Sequence, residues 1–280
     1  MKSLDLRRAT ARGQKWTMMT AYDHPTAELV DEAGIDFALV GDSLGMVVLG
    51  YPSTAPVTMD EMLHHAKAVR RGLKKAWLLG DLPLKGVERG PAQAVASARR
   101  FLKEAGCDGV KLEWRHDAPA ILKALIRAGI PVMGHVGLTP QTARRFRVTG
   151  ADAKAAAAVL AQARAFERGG AFAVLLECVP APVAAAATAA IDIPTVGIGA
   201  GPDCDGQVLV FHDLVGLFAK FTPKFVRRYA DLRPQALEAL RAFARDVRAG
   251  DFPESRHTYG MPDEELQRFL AYGAPAKGRG

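Results

Sequence analysis

Asp42, Asp81 and Glu113 each close a short apolar run, and Lys111 stands two residues before the last of them. Three acids in such places make an all-oxygen donor set for a hard divalent cation. Magnesium suits it best, because it takes few protein carboxylates and leaves positions for water and substrate. A single acid of this kind would more often cap a helix or pair with Lys or Arg. Three at equivalent strand ends shift the reading to metal.

Lys111 and Glu113 face the same way on a strand. Lys111 therefore either neutralises Glu113 or meets an anionic group of the substrate, and the two roles are compatible. Glu177, in Leu175-Leu176-Glu177-Cys178-Val179, has the apolar surroundings that suit a general base near neutrality. His135, in Gly134-His135-Val136-Gly137, orients substrate, acts as an acid, or is a hydrogen-bonded core residue. Ser43 offers a hydroxyl and a backbone N–H beside the metal. With no partner to activate it as a nucleophile, ligand contact is its expected role. Gly197-Ile198-Gly199-Ala200-Gly201 is either a phosphate cradle or a tight turn. His64 and His65 diverge by about 100° on a helix and cannot grip one ion.

Something must bring these groups together. Trp16–Thr20 runs toward Asp23, Phe37–Val40 into Asp42, Trp77–Leu79 into Asp81, Val110–Leu112 into Glu113, Pro131–Met133 toward His135 and Ala173–Leu176 into Glu177. Short strands that finish in reactive groups build one face of an α/β barrel. Helical segments lie between them. Thr58-Met59-Asp60-Glu61 opens one with a capping box, and Pro91 opens another that ends before Gly106. The recurring Ala-Gly after each helix (33–34, 105–106, 128–129) is the rhythm of βα units. Thr195–Ile198 is the seventh strand and Val208–His212 the eighth. The expected fold is a single (βα)8 TIM barrel with additional terminal helices. Its domain covers 1–262, and a polar C-terminal tail, partly disordered, covers 263–280.

The 280 residues suit one such barrel. Three cysteines at unrelated spacings argue against a disulfide framework or a metal knuckle. No apolar stretch reaches the roughly 20 residues of a membrane span, and the start lacks a signal peptide's apolar region. A cytoplasmic enzyme is expected. The net charge of +7 is spread over many helices without interleaved aromatics, so the reading is solvated faces and a field for small anions, not nucleic acid.

Val40-Gly41-Asp42-Ser43-Leu44-Gly45-Met46, Gly80-Asp81-Leu82-Pro83, Val110-Lys111-Leu112-Glu113, Gly134-His135-Val136-Gly137-Leu138-Thr139-Pro140-Gln141 and Leu176-Glu177-Cys178-Val179-Pro180 together resemble the ketopantoate hydroxymethyltransferase family. The likeness runs in order from about Met18 to Tyr229. It implies Mg2+, 3-methyl-2-oxobutanoate as acceptor and 5,10-methylenetetrahydrofolate as donor, reacting through a Mg-stabilised enolate to 2-dehydropantoate. It further implies Asp42, Asp81 and Glu113 at the metal, Asp42, Ser43, Asp81 and Lys111 on the oxoacid, Glu177 as proton acceptor, and a homo-oligomer, often a decamer. One segment departs from the family pattern. Thr142–Gly150 is shorter than the family's glycine-rich loop and lacks its tyrosine and glutamine. That departure favours the alternative of a paralogous magnesium enzyme, akin to phosphoenolpyruvate mutase and isocitrate lyase, acting on another 2-oxoacid.

Overall fold

A computed structural model describes residues 15–143 and 146–273. The chain's first residues, Arg144 and Arg145 of the departing segment, and 274–280 of the expected disordered tail lie outside the described residues.

Eight strands form a closed parallel barrel in sequence order: β1 (Trp16–Thr20), β2 (Phe37–Val40), β3 (Trp77–Asp81), β4 (Gly109–Glu113), β5 (Val132–Gly137), β6 (Ala173–Glu177), β7 (Thr195–Ile198) and β8 (Gly206–Leu209). Between and after them come α1 (His24–Glu32), α2 (Leu44–Val47), α3 (Met59–Gly72), α4 (Leu84–Val87), α5 (Pro91–Glu104), α6 (Ala118–Arg127), α7 (Ala153–Arg168), α8 (Ala181–Ala189) and α9 (Phe211–Leu214). Local chemistry sets the helix starts. Thr58 and Glu61 form the expected capping box at α3. Asp23, the acid read at the end of the first strand, instead accepts from Thr26 N at 2.8 Å and caps α1.

Strand side chains alternate between two cores. Inside the barrel sit Trp16, Met18, Phe37, Leu39, Leu79, Met133, Leu175, Val196 and Val208. The intervening residues, such as Val40, Leu78, Val110, Val136 and Leu176, pack under the helices. Period two then dictates the next inward layer: Asp81 follows Leu79, His135 follows Met133 and Glu177 follows Leu175. An apolar plug thus supports a polar floor.

The eighth strand begins and ends earlier than its apolar residues imply, at Gly206–Leu209, and Phe211 already starts α9. Gly206 pairs with Trp16 of β1 and with Val196 of β7, so it closes the ring. A Cβ there would lie 2.7 Å from the Trp16 Cβ and 2.8 Å from its carbonyl oxygen. Phe211 N donates to Thr20 Oγ1 at 3.0 Å, turning the chain into the helix.

The chain divides into two compact units, the first ending at Ala230 and the second beginning at Asp231. No described residue after Ala230 is buried. The second unit contains α10 (Leu232–Ala249), a 3-10 turn (Ser255–His257) and α11 (Asp263–Ala271). Residues 263–271 of the expected tail are therefore helical. Among the described residues no helix is long and apolar enough to cross a membrane.

On the outer face of β5, Gly134 lets the Phe166 ring of α7 lie flat against the strand, and any Cβ would drive into that ring. Gly134→Ala should cost about 1–3 kcal/mol through overpacking, measured as a lower urea midpoint with an unchanged m-value. Gly260→Ala, which meets open space, is the control. An unshifted midpoint for Gly134→Ala would refute this packing account.

Candidate active site

Five of the sequence-predicted residues meet above the apolar plug. Asp42, Asp81, Lys111, Glu113 and His135 are all buried, His135 completely. The register explains their meeting: Asp81 pairs with Lys111 across β3 and β4, Glu113 with His135 across β4 and β5, and Gly137 with Glu177 across β5 and β6. Lys111 Nζ lies 2.8 Å from Asp81 Oδ2, and Asp42 N donates to the same oxygen at 3.2 Å. Lys111 also reaches His135 Nδ1 at 3.2 Å. His135 Nε2 stands 3.3 Å from Glu177 Oε2. Glu177, whose sequence neighbours are apolar, thus has the imidazole beside it.

His135 is held below its ordinary pKa by burial first and by the Lys111 charge second, so it is neutral near pH 7. An ammonium has hydrogens to donate and no lone pair. Lys111 therefore donates to Nδ1, which leaves the proton on Nε2, close to Glu177 Oε2 but without the alignment of a hydrogen bond. The longer approach of Nδ1 to Glu113 Oε2, 3.7 Å, is beyond hydrogen-bond range and does not compete.

The cluster holds more acid than base. Burial pushes Asp81 up to about 8, Lys111 opposing and Asp42 adding to it. Glu113 is raised well above its ordinary range by burial and then by the Asp42 charge. Asp42 Oδ2 and Asp81 Oδ1 are buried without a hydrogen-bond partner. Orphaned carboxylate oxygens of this kind are costly unless a cation meets them, so the donor chemistry fits Mg2+. Among the described residues, however, no three acidic, imidazole or thiol groups converge as a finished cage. Glu113 Oε2 also accepts from Gln141 N at 3.4 Å.

Ser43 lines the same cavity and shares a 2.6 Å hydrogen bond with the buried Tyr22 hydroxyl. Glu177 is aimed inward by two backbone features. Cys178 adopts a left-handed φ of 49°, and Gly137, at φ 100°, lies so close that a Cβ would strike the Glu177 carbonyl. The Gly197–Gly201 turn serves packing: the Phe225 ring sits where a Gly199 Cβ would be.

The sequence reading missed several groups. Thr54, almost fully buried, points an unpartnered Oγ1 at the cavity it lines, and Asp213 lines that cavity from α9. Thr54 follows no apolar strand, the signal that marked the others, whereas Asp213 directly follows the expected eighth strand and that signal could have found it. Phe146, Arg147 and Val148 of the departing segment also line it.

A sequence profile for ketopantoate hydroxymethyltransferase matches residues 1–255. The 3-methyl-2-oxobutanoate hydroxymethyltransferase of Oleidesulfovibrio alaskensis is 51% identical over 265 residues, 94% of this chain and 92% of the relative. That of Desulfotalea psychrophila is 52% identical over 259 residues, 91% and 93% of the two chains. Among solved structures, a phosphonopyruvate hydrolase in complex with oxalate and Mg2+ aligns with a TM-score of 0.58 at 17% identity, covering 96% of this chain and 97% of that one. The phosphoenolpyruvate phosphomutase of Streptomyces platensis subsp. rosaceus gives 0.59 at 17%, covering 94% and 96%. Identity that low speaks for the shared barrel alone, whereas the profile and the half-identical relatives decide the lineage: this chain is a hydroxymethyltransferase of the ketopantoate hydroxymethyltransferase family.

Proposed function

We propose that the chain transfers a hydroxymethyl group from 5,10-methylenetetrahydrofolate to 3-methyl-2-oxobutanoate, giving 2-dehydropantoate in pantothenate synthesis. The observation that carries this reading is the opposition of two groups in one cavity. Glu177 stands at one side, and the orphaned oxygens of Asp42 and Asp81 with the Lys111 ammonium stand at the other. In this proposal Mg2+ is held by Asp42 and Asp81, with Glu113 the third carboxylate of the set.

When bound there, Mg2+ supplies Lewis acidity for negative charge developing on the 2-oxo group. The chain's own residues supply the rest. Lys111 offsets the substrate carboxylate, and Ser43 offers it a hydroxyl. Glu177, with His135 Nε2 3.3 Å from its Oε2, takes the proton from C3 of the oxoacid. His135 is thus a positioning residue for the base. Carbon C3 then bonds to the folate's one-carbon unit, water provides the oxygen of the new hydroxyl, and tetrahydrofolate departs. A fixed positive charge where negative charge develops needs no reorganisation during reaction, which is why such groups count for so much. Homo-oligomeric assembly and a cytoplasmic setting belong to the same proposal.

Glu177→Gln should bind oxoacid and Mg2+ yet lose exchange of the C3 hydrogen with D2O, followed by NMR, by about 100-fold or more. Undiminished exchange would remove Glu177 from the base role. Asp81→Ala should weaken Mg2+ binding by on the order of 100-fold in calorimetry while circular dichroism still reports a folded barrel. Normal Mg2+ affinity would end that assignment. Protonation adds a sign. Without the cation Asp81, raised to about 8, holds a proton near neutral pH, and Mg2+ must displace it. Mg2+ affinity should therefore rise as pH increases from about 6 to 8, with proton release visible in buffers of different ionisation enthalpy. An affinity flat with pH would contradict this charge balance.

A further inference from the structure

The cavity above the barrel measures about 420 Å3, within the range of sites for drug-sized ligands and far more than a five-carbon oxoacid fills. Its inner part is the acidic cluster already described. Its outer part has a different chemistry. Phe218 and Phe221 meet edge to face there, ring centres 5.4 Å apart at 83°. Phe225 lies on the Gly199 turn, and Phe146 and Phe221 remain 53% and 47% exposed at the lip. Asp213 lines the same cavity from α9. Among the described residues its carboxylate has no hydrogen-bond or ion-pair partner. Arg228, the cation that acts on it electrostatically, donates to Thr222 Oγ1 at 2.6 Å.

Aromatic faces with one unpaired carboxylate select a particular kind of molecule. It must be flat, with faces that stack on rings. It must carry parallel N–H donors on one edge, because a carboxylate accepts two such bonds side by side. It must not be anionic at that end, which excludes phosphate or a second oxoacid. A pterin meets all three conditions through its 2-amino group and N3–H.

We infer that this outer chamber seats the pterin of the folate donor, with Asp213 accepting both hydrogen bonds from its amino-amide edge. The inference rests on the reading above that the donor is a folate, and it assigns the donor to a specific part of the cavity. Lys224, exposed at the lip, then offers positive charge to the carboxylates at the folate's far end. Burial raises Asp213 to about 6, Arg228 opposing, so the carboxylate is mostly ionised at neutral pH and able to accept.

The test measures equilibrium binding of tetrahydrofolate and of its 2-desamino analogue to the Mg2+-loaded full chain. Asp213→Asn should weaken tetrahydrofolate by about 10- to 100-fold, the loss expected for a charge-assisted pair of hydrogen bonds. The analogue should bind the unsubstituted enzyme comparably weakly and lose little more on Asp213→Asn, a pattern that general unfolding cannot mimic. Tetrahydrofolate affinity unmoved by Asp213→Asn, or an equal further loss for the analogue, would overturn the assignment alone. Failure of the unsubstituted enzyme to bind tetrahydrofolate at all would overturn both the assignment and the folate reading beneath it. C3 exchange by that enzyme without folate reports separately on the base.

Discussion

A surplus of buried negative charge governs this molecule. Asp42, Asp81 and Glu113 share one lysine, and the nearby imidazole is neutral. Coulomb repulsion in a poorly solvated place is expensive, and the single ion pair between Lys111 and Asp81 does not cancel it. Burial there pushes the Asp81 carboxyl up to about 8 and the Glu113 carboxyl well above its ordinary range.

Such a cluster persists because the barrel beneath it is rigid. The interior plug of Leu79, Met133 and Leu175 fixes the inward direction of Asp81, His135 and Glu177 two residues later. Glycines on the outward faces of β3 and β5 let the Phe101 and Phe166 rings press directly on the strands. The helices are thereby held close to the sheet, and the polar floor has little freedom to relax. Stability in the helix layer and preorganisation in the site are two results of the same packing.

The cavity grades from charge to aromaticity. Acids and Lys111 occupy its depth, while phenylalanines from the segments after β8 and before α7 form its lip. That gradient suits two reactants of unlike chemistry meeting in one chamber, one small and anionic, the other flat and largely apolar. His135 links the parts of the inner site, accepting from Lys111 on Nδ1 and lying 3.3 Å from Glu177 with Nε2.

Much of this was legible in the chain itself. Apolar runs of four or five residues, each finishing in an acid, lysine or histidine, determined the barrel and marked Asp42, Asp81, Lys111, Glu113, His135 and Glu177, because strand alternation is local and a side chain's face follows from its position. Capping chemistry at Thr58 and the proline start at Pro91 were likewise local. Gly206 as the closing residue, Asp23 as a helix cap and the separation at Ala230 were not, since each depends on which distant backbone lies alongside. The approach of His135 to Glu177, the contact of Glu113 with Gln141 N and the arrival of Thr54 at the cavity were decided by tertiary structure alone. They arise from register between strands and from loops folding over the barrel mouth, where no periodicity in sequence records which side chain ends beside which.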